Sequence, residues 1–380
     1  MKELQDILTA WRDAREKGEE TALATIVKVS GSTYRRPGAR MLLTRSGRMV
    51  GSISGGCLEG DVLEKAREVL DSGQPRLLEY DMTADDDLVW GLGLGCNGSV
   101  HVFLERVPTG RPVEPMEALG ESVRQNAALG LVTIFKVEGT DRARPGERLL
   151  LRPDGSPVWD IQDAELAELT LRDAQDALEK GLSRVATYAL DPGTVEAFIE
   201  VVQPPLPLVI CGAGHDAIPV VRLARSLGWR VTVADSRPAY ATKERFPEAD
   251  EVVLTPPEEV AERVPLDHRT YVVIMTHNYN HDLKLLRAIL PIPVRYIGVL
   301  GPRARTERLL RELQEQGVEI PAERYGRIYS PVGLNIGADT PEEIALAILA
   351  EIQAVRTGRG AGFLRDLRGR IHEEIAISRP

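Results

Sequence analysis

The chain has 380 residues and a formal net charge of −10 at pH 7, and 43% of its residues are hydrophobic. This length and content suffice for two hydrophobic cores of ordinary size. The acidic balance argues against nucleic-acid binding and favours a cytoplasmic protein, and no apolar run reaches the roughly 20 residues of a membrane span. Three cysteines are too few, and an odd number, for a disulfide framework, so we expect reduced thiols.

The first half of the chain, residues 1–202, is predicted to be an α+β domain with mostly short strands. Its apolar residues recur at helical spacing in some stretches and at strand spacing in others. Helices are predicted at 2–17, 58–71, 114–128 and 163–180, and strands at 22–29, 40–44, 48–53, 77–82, 99–106, 130–137, 147–151, 184–190 and 194–202. No internal repeat is evident.

Residues 203–207, Gln-Pro-Pro-Leu-Pro, are the best linker candidate, because proline lacks an N–H group and restricts φ. Over 208–355, strands alternate with helices, which predicts a Rossmann-like, doubly wound parallel sheet and an α/β fold class. The strands are predicted at 208–211, 230–234, 251–254, 270–275 and 294–300, and the helices near 216–227, 257–263, 282–290, 303–316 and 341–355. Residues 356–380 are predicted to be a C-terminal tail.

A glycine-rich turn, Gly212-x-Gly214, follows the first of these strands. In a dinucleotide-binding fold the first glycine permits the turn, and the second lets a pyrophosphate approach the backbone. The next helix then offers its N-terminal N–H groups to phosphate. Asp235 ends the following strand, where an acid binds the adenosine ribose of NAD and repels the 2′-phosphate of NADP. The alternative is a Rossmann domain that binds no nucleotide.

Polar residues gather where the strands of this sheet end. Because ligands bind at the carboxyl ends of parallel strands, His215, Arg237, His277 and Arg303 are candidates for a ligand-binding rim. His277 and His281 have the spacing of metal ligands on one helix face. No third ligand is indicated nearby, so no metal site is predicted.

Two cysteines lie in glycine-rich surroundings. Cys57 follows Gly55 and Gly56 and precedes a predicted helix, whose dipole would favour the thiolate. Cys96 lies in a second glycine-rich loop. The alternative for each is a small buried residue in a turn. Cys211 is predicted to be a core residue of the first Rossmann strand.

Several motifs, in this order along the chain, resemble the XdhC/CoxI family. They are Gly-Ser-Thr-Tyr-Arg-Arg-Pro-Gly-Ala-Arg-Met (31–41), Gly-Ser-Ile-Ser-Gly-Gly-Cys-Leu-Glu-Gly (51–60), Gly-Leu-Gly-Cys-Asn-Gly (93–98), Val-Ile-Cys-Gly-Ala-Gly-His (209–215), Ala-Asp-Ser-Arg-Pro (234–238), Met-Thr-His-Asn (275–278), Leu-Gly-Pro-Arg (300–303) and the segment 330–345. The resemblance covers roughly residues 1–360. The chain departs from it at Asn278, where an acid is common, and at Pro302, where a serine is common. Both departures weaken an acid–base role for the rim.

The resemblance implies an accessory protein for a molybdenum hydroxylase such as xanthine dehydrogenase or carbon monoxide dehydrogenase. Such proteins bind the molybdenum cofactor, support its sulfuration and help insert it into the apoenzyme, with a cysteine desulfurase as the expected sulfur donor. The chain would then be a maturation chaperone more than an enzyme with its own turnover. The candidate catalytic residues are Cys57, Cys96 and His277. The candidate cofactor-binding residues are Gly55, Gly56, Gly212, Gly214, His215, Asp235, Arg237 and Arg303.

The cofactor's own chemistry suggests how the two halves could share it. Molybdopterin carries a phosphate and its dinucleotide forms a pyrophosphate, so the Rossmann turn could hold this tail while the Cys57 loop meets the molybdenum. The alternative function is an NAD-dependent oxidoreductase, although no clear acid–base pair for hydride transfer is present; a third is a docking module without a ligand. The apolar strands 22–29 and 130–135 suggest a pairing surface. We therefore predict a homodimer in which Cys57 and His215 open on one cavity.

Overall fold

The computed structural model describes residues 1–81 and 98–368 and the backbone of 377–378. It contains two compact units, one built on Glu3–Pro204 and the other on Pro205–Asp366. We call them the N-terminal unit and the Rossmann unit. Their boundary falls within the proline-rich segment that the sequence marks as a linker candidate.

The N-terminal unit combines amphipathic helices with two sheets. Its described helices are α1 (Lys2–Glu16), α2 (Glu59–Ser72), α3 (Pro115–Gln125) and α4 (Ala164–Lys180). Its strands are β1 (Thr21–Gly31), β2 (Arg40–Thr44), β3 (Met49–Gly51), β4 (Arg76–Asp81), β5 (Gly98–Arg106), β6 (Leu129–Glu138), β7 (Arg148–Leu151), β8 (Pro157–Trp159), β9 (Arg184–Ala189) and β10 (Thr194–Val202). Helices α2 and α4 end at Gly73 and Gly181, whose φ of 69° and 66° is a left-handed conformation that glycine adopts readily.

The N-terminal unit consists of two copies of one module, so the interpretation that no repeat is present is wrong. The first sheet has the order β3-β2-β1-β5-β4, and the equivalent strands of the second follow the same order, β8-β7-β6-β10-β9. Arg148 follows Arg40 by 108 positions, and the same spacing separates Thr133 from Thr25. We call the copies module 1 and module 2. The short strand β17 (Ile377–Ser378) extends the second sheet by pairing with β9.

The two modules pack against each other through their central strands. Both carry a β-bulge at the same point, at Val27 in β1 and at Phe135 in β6. These residues are buried in one cluster with Phe103, Val185 and Phe198. The strands from which we predicted a pairing surface are therefore buried inside the unit, where two modules of one chain pair. They are not an exposed surface for a second copy.

Two buried ion pairs cross between the modules reciprocally. Arg40 of module 1 binds Glu200 of module 2, with Nη1 2.9 Å from Oε1, and Arg148 of module 2 binds Glu105 of module 1. Glu105 in β5 and Glu200 in β10 occupy equivalent register positions. The exposed fraction of all four side chains is 10% or less. Each module thus supplies one cation and one anion to a nearly water-free interface.

The Rossmann unit is a parallel sheet flanked by helices, which confirms the predicted fold class. Its strands are β11 (Pro207–Cys211), β12 (Arg230–Asp235), β13 (Glu251–Leu254), β14 (Tyr271–Ile274), β15 (Tyr296–Val299) and β16 (Ile328–Tyr329), in the order β13-β12-β11-β14-β15-β16. Its helices are α5 (Ala217–Ser226), α6 (Val260–Arg263), α7 (Tyr279–Ile289), α8 (Arg303–Glu315), α9 (Ala322–Tyr325) and α10 (Pro341–Thr357). The sequence missed β16 and α9 because they are too short to show a hydrophobic period.

The strand order reverses direction between β11 and β14, and such a switch point is where open α/β sheets bind ligands. The two strands end so close together that Gly212 has no room for a side chain. A Cβ there would lie 2.5 Å from the carbonyl oxygen of Met275, and the φ of +121° also favours glycine. Cys211 is buried in the core, as predicted, and burial raises the pKa of its thiol to about 12.

Candidate functional site

The loop 52–58 of module 1 joins β3 to α2 and carries the free thiol of Cys57. Cys57 is exposed and precedes the helix cap residue Leu58, in the position that the sequence indicates. Gly55 and Gly56 have φ values of +84° and +120°, which favour glycine. A Cβ at Gly56 would meet nothing within 4 Å, so the outer face of this loop is open.

The inner face of the same loop is organised around the carboxylate of Glu59, the first residue of α2. Its Oε1 accepts hydrogen bonds from the N–H groups of Ile53 and Ser54 at 3.1 and 2.9 Å. Its Oε2 accepts from the N–H groups of Gly56 and Leu58 at 2.9 and 3.1 Å. The hydroxyl groups of two loop serines donate to it as well. One carboxylate therefore fixes the shape of the whole loop.

These hydrogen bonds keep Glu59 charged. Burial by itself would raise the pKa of Glu59, but hydrogen bonds from Ser54, Ser52 and the loop backbone hold it at about 2. The carboxylates of Glu59 and Asp61 both lie in the first turn of α2, at the positive end of the helix dipole. This carboxylate offsets the helix dipole from which we expected stabilisation of a Cys57 thiolate, and the N–H of the cap residue Leu58 is already bonded to it.

Two neighbouring elements hold the Cys57 loop in place. Tyr34, in the segment between β1 and β2, is 67% exposed and lies against Gly55, where a Cβ would be 2.9 Å from its ring. Glu3 in α1 forms an ion pair with Arg35 and accepts a hydrogen bond from the N–H of Ser52 at 2.9 Å. The loops that carry the first two family-like motifs are thus joined by direct contacts.

Cys96, the second candidate thiol, lies outside the described residues. The described chain resumes at Gly98, the first residue of β5. A Cβ at Gly98 would lie 2.4 Å from the carbonyl oxygen of Ser30 and 2.7 Å from that of Ser32. The last residue of the motif 93–98 therefore packs directly on the end of β1 and the residue that follows it.

In the Rossmann unit, carboxylates of the chain itself occupy the glycine turn. The N–H of Ala213 donates to Oδ2 of Asp235 at 2.7 Å. Asp216 lies over Gly214, where a Cβ would be 2.5 Å from its Oδ1. A pyrophosphate approaching the turn would meet two negative charges. In this arrangement the turn does not fit the anion site that the sequence predicts.

Asp235 is also bound to Arg237. The backbone N–H and Nε of Arg237 each donate to Oδ1 at 2.9 Å, and its Nη2 donates to Oδ2 at 2.7 Å. Burial by itself would raise the pKa of Asp235, but Arg237 and the Ala213 N–H lower it. The ribose of NAD would have to displace Arg237 to reach this carboxylate.

A cationic group lies beside this acid. The Arg237 guanidinium, 41% exposed, is 3.9 Å from the ring centroid of Tyr240. Arg245 lies over the same ring at 4.9 Å. Two arginines on one aromatic ring are suited to a phosphate, because guanidinium groups bind it through paired N–H donors.

His277 follows β14 and contacts the glycine turn. Its Nε2 lies 2.7 Å from Oδ2 of Asp216, and its φ of +59° is uncommon for a residue with a side chain. Helix α7 begins after it, with Asn278 as N-cap accepting from the N–H of His281 at 3.1 Å. His277 is therefore not on the helix, and the expectation that the two histidines share a helix face is wrong. Asn278, a departure from the family pattern, acts as a cap.

A cavity with about 450 Å³ of free space, partly open to solvent, lies where β12 and β14 end. It is lined by Ala234, Asp235, Ser236, Arg237, Thr255, Pro257, Val260, Thr276, Asn278, His281 and Leu285.

The predicted rim residues do not all meet at this cavity. His215 is exposed on the glycine turn. Arg303 is 78% exposed, pairs with Glu307 at 2.9 Å, and lines a different cavity together with Tyr325. The structure thus brings Asp235 and Arg237 to one cavity and leaves Arg303 apart from them.

Sequence reasoning missed three residues that shape these sites. Glu59 could have been found, because an acid in the first turn of a helix is a common partner of its free N–H groups. Asp216 and Tyr240 gave no comparable signal. Their roles depend on contacts with His277 and with Arg237, which only the folded chain brings near.

The described part of the chain offers no group of three or more His, Cys, Asp or Glu side chains placed to hold a metal ion. Within that same part, no helix has the length and apolar character needed to cross a membrane.

The fold and the two sites define a two-unit protein, with an exposed cysteine loop on a duplicated α+β unit and a separate Rossmann unit. Comparison with known proteins agrees. The XdhC Rossmann domain profile matches residues 208–352, and the XdhC and CoxI family profile matches residues 14–81 and again 122–189, which are modules 1 and 2.

Three relatives extend this match over most of the chain. A protein of Bacillus subtilis, described as a probable xanthine dehydrogenase subunit, is 35% identical over 90% of this chain and 94% of its own length. The molybdenum cofactor insertion chaperone PaoD of Escherichia coli is 23% identical over 90% of this chain and 86% of its own. A crystal structure from Bacillus halodurans, described as a xanthine dehydrogenase, is 30% identical, covers 94% of this chain and 97% of its own, and superposes with a TM-score of 0.75. The chain belongs to the XdhC and CoxI family.

Proposed function

We propose that this chain binds the molybdenum cofactor and delivers it to the apoprotein of a molybdenum hydroxylase. The names of two relatives support the proposal, since one is a molybdenum cofactor insertion chaperone and the other a probable xanthine dehydrogenase subunit. The observation that carries it is the Cys57 loop, where an exposed thiol stands beside an open glycine face. Sulfur ligands suit soft metal centres, and the open face leaves room for a bulky group.

In this proposal the chain's residues bind and orient a cofactor whose molybdenum centre is used later in the target enzyme. Cys57 contacts the molybdenum end or holds the sulfur destined for it. Gly55 and Gly56 leave the thiol accessible, and the exposed ring of Tyr34 forms one side of the approach. Cys96 is proposed as a second sulfur contact.

The Rossmann cavity is proposed to hold the nucleoside of a dinucleotide form of the cofactor. Its apolar side chains, Val260 and Leu285, suit a base, and Arg237 with Arg245 suits the phosphates. This location differs from the glycine turn that we predicted, because Asp235 and Asp216 already occupy that turn. His277 would act there through its contact with Asp216, as a residue that keeps the turn closed.

The remaining partners are also proposals. A cysteine desulfurase would supply sulfur for the cofactor, and a molybdenum hydroxylase apoprotein would receive it, both in the cytoplasm. A homodimer would need a surface other than β1 and β6, which are buried within the N-terminal unit. Sedimentation equilibrium of the purified chain tests the dimer.

The experiment that tests this function is mass spectrometry of the ligand released from protein purified out of cells that make the cofactor. We expect molybdopterin or its dinucleotide form. Release of NAD would favour the oxidoreductase alternative, in which Arg237 moves away from Asp235. A protein that carries neither ligand, and takes up no molybdopterin when it is added, would contradict the proposal.

A further inference from the structure

The carboxylate of Glu59 is a feature that the fold of the module does not require. Module 2 contains the same helix at the same place, and Ala167 stands where module 1 has Glu59. There the helix α4 is capped by Asp163, which accepts a hydrogen bond from the N–H of Leu166 at 2.9 Å. Both helices bury equivalent positions and end at equivalent glycines. The module thus folds with or without this carboxylate.

What differs between the modules is where the helix begins. Gly55, Gly56 and Cys57 form a loop before α2 in module 1, whereas the equivalent residues of module 2, Asp163, Ala164 and Glu165, are the cap and the first two residues of α4. The Glu59 hydrogen-bond set occurs in the module that has the exposed thiol. Module 2 is therefore an internal control, and it links Glu59 to the Cys57 loop.

We propose that Glu59 is a positioning residue that presents the Cys57 thiol to the molybdenum cofactor, and this proposal rests on the function proposed above. Its two oxygens hold four backbone N–H groups of the loop on the inner side. Gly55, Gly56 and Cys57 are exposed on the other side. The carboxylate also repels other anions from these N–H groups, so the loop offers a thiol and an open face but no phosphate site.

The main competing role is that of a plug. A ring of N–H groups at a helix N-terminus binds anions readily, and Glu59 could block a phosphate site that opens when it moves. The two roles predict opposite effects of removing the carboxylate. A positioning residue is needed for cofactor retention, whereas removal of a plug would improve the binding of phosphate.

The test compares Glu59→Gln with Asp61→Asn in the full chain. Glutamine keeps the size of the side chain but puts an NH2 group against N–H donors of the loop. Asp61 lies in the same helical turn, and its carboxylate binds Tyr80 and Lys65, not the loop. Asp61→Asn therefore removes an equal charge and leaves the loop hydrogen bonds intact.

Three measurements are made on each protein: thermal unfolding, molybdopterin retained per chain by mass spectrometry, and the pH dependence of Cys57 alkylation by iodoacetamide, followed by peptide mass. For Glu59→Gln we expect cooperative unfolding at a lower temperature than wild type, because the charged carboxylate stabilises the fold, and roughly tenfold lower retention, the size expected from losing charged hydrogen bonds. Alkylation should shift to lower pH by more than in Asp61→Asn, since the freed N–H groups can then stabilise a thiolate.

Unchanged retention together with an unchanged alkylation profile in Glu59→Gln would overturn the proposal. So would tighter binding of inorganic phosphate with retention unchanged, which is the behaviour of a plug. If the wild-type chain itself holds no molybdopterin, the proposed function fails, and the alkylation profile still decides whether Glu59 positions the thiol. If Glu59→Gln unfolds, Glu59→Asp, which keeps the charge, should restore the fold and only part of the retention.

Discussion

Cys57 and Glu59 lie two residues apart, but only the Cys57 side chain is accessible to a ligand. The thiol is free and exposed, while the carboxylate is turned inward and accepts hydrogen bonds from the loop. The charge at this helix N-terminus is therefore carried by Glu59. An accessible thiol is the group that this loop presents to a ligand.

The low pKa of Glu59 predicts how stability depends on pH. A folded-state pKa of about 2, below the ordinary 4.5, means that Glu59 stabilises the fold fully above the ordinary value, and that this contribution is lost as the pH falls toward 2. The difference in free energy of unfolding between wild type and Glu59→Gln should be constant near neutrality and shrink below about pH 4.5. Urea unfolding at several pH values measures it. A difference that stays flat down to pH 3 would show that Glu59 is not held in its charged form.

Gly212 and Gly214 look equivalent in sequence and differ in the structure. A Cβ at Gly212 would meet the backbone of Met275 at 2.5 Å, in a conformation that disfavours side chains, whereas a Cβ at Gly214 would meet the end of the Asp216 side chain, which can move. We expect Gly212→Ala to lower the free energy of unfolding by about 2 to 3 kcal/mol and Gly214→Ala by less than about 1 kcal/mol. Chemical denaturation of both variants measures these losses of stability. Equal losses would show that the two glycines are equally constrained, contrary to the prediction.

Arg237 and Arg303 were both predicted to bind the cofactor, and the structure separates them. Arg237 lines the Rossmann cavity on Tyr240, and Arg303 pairs with Glu307 elsewhere. Arg237→Gln should lower the retained cofactor roughly tenfold, because a charged hydrogen bond to phosphate is lost, while the matched Arg303→Gln should not. Mass spectrometry of bound ligand compares them. If Arg303→Gln loses more cofactor than Arg237→Gln, the phosphate binds at the cavity that Arg303 lines.

The places of the site residues in the fold could be predicted from the sequence, but their side-chain contacts could not. Glycine turns and the acid that ends β12 are local patterns, so Gly212 and Asp235 were placed correctly on the sheet edge. That Asp235 would bind Ala213 and Arg237, and not a ribose, depends on side-chain contacts between separate strands and turns. No spacing rule carries that information.

At the scale of elements, the N-terminal unit is an intramolecular pair of modules. The match in strand order, bulge position and buried cluster shows that β1 and β6 are equivalent strands in contact. The reciprocal ion pairs follow from the same symmetry, since each equivalent arginine meets the glutamate of the other module.

These ion pairs predict a symmetric loss of stability. Glu200→Gln should lower the free energy of unfolding by about 3 kcal/mol, because it leaves the Arg40 guanidinium buried without its counter-charge, and Glu105→Gln should cost about as much at Arg148. Glu117→Gln removes the exposed partner of Arg15 and should cost less than about 1 kcal/mol. Thermal and urea unfolding compare the three. If the buried and exposed variants behave alike, the pairs do not hold the modules together.

The repeat was readable in the sequence and was missed. Arg36-Pro37-Gly38 recurs as Arg144-Pro145-Gly146, but the most distinctive motif of module 1, the Gly-Gly-Cys loop, has no copy in module 2. The motif that stands out therefore lies outside the part that repeats. Most strands were nevertheless placed to within a residue or two, because hydrophobic alternation is a local signal.

At the scale of the whole molecule, the chain combines a unit that presents a thiol with a unit that presents a cavity and two arginines. The N-terminal unit has one exposed cysteine loop among its described residues, and the Rossmann unit has the cavity at its switch point. In the function proposed above, the thiol and the arginines are the groups that would bind the cofactor. Cys57 is the residue on which the proposed function depends most.

The most direct test is the molybdopterin content of Cys57→Ala compared with Cys211→Ala, each purified from cells that make the cofactor. Cys211 is the matched control, because its thiol is buried in the Rossmann core and has no path to a ligand. We predict that Cys57→Ala folds normally and loses most of its bound molybdopterin, while Cys211→Ala keeps it. Equal cofactor content in Cys57→Ala and wild type would contradict the account.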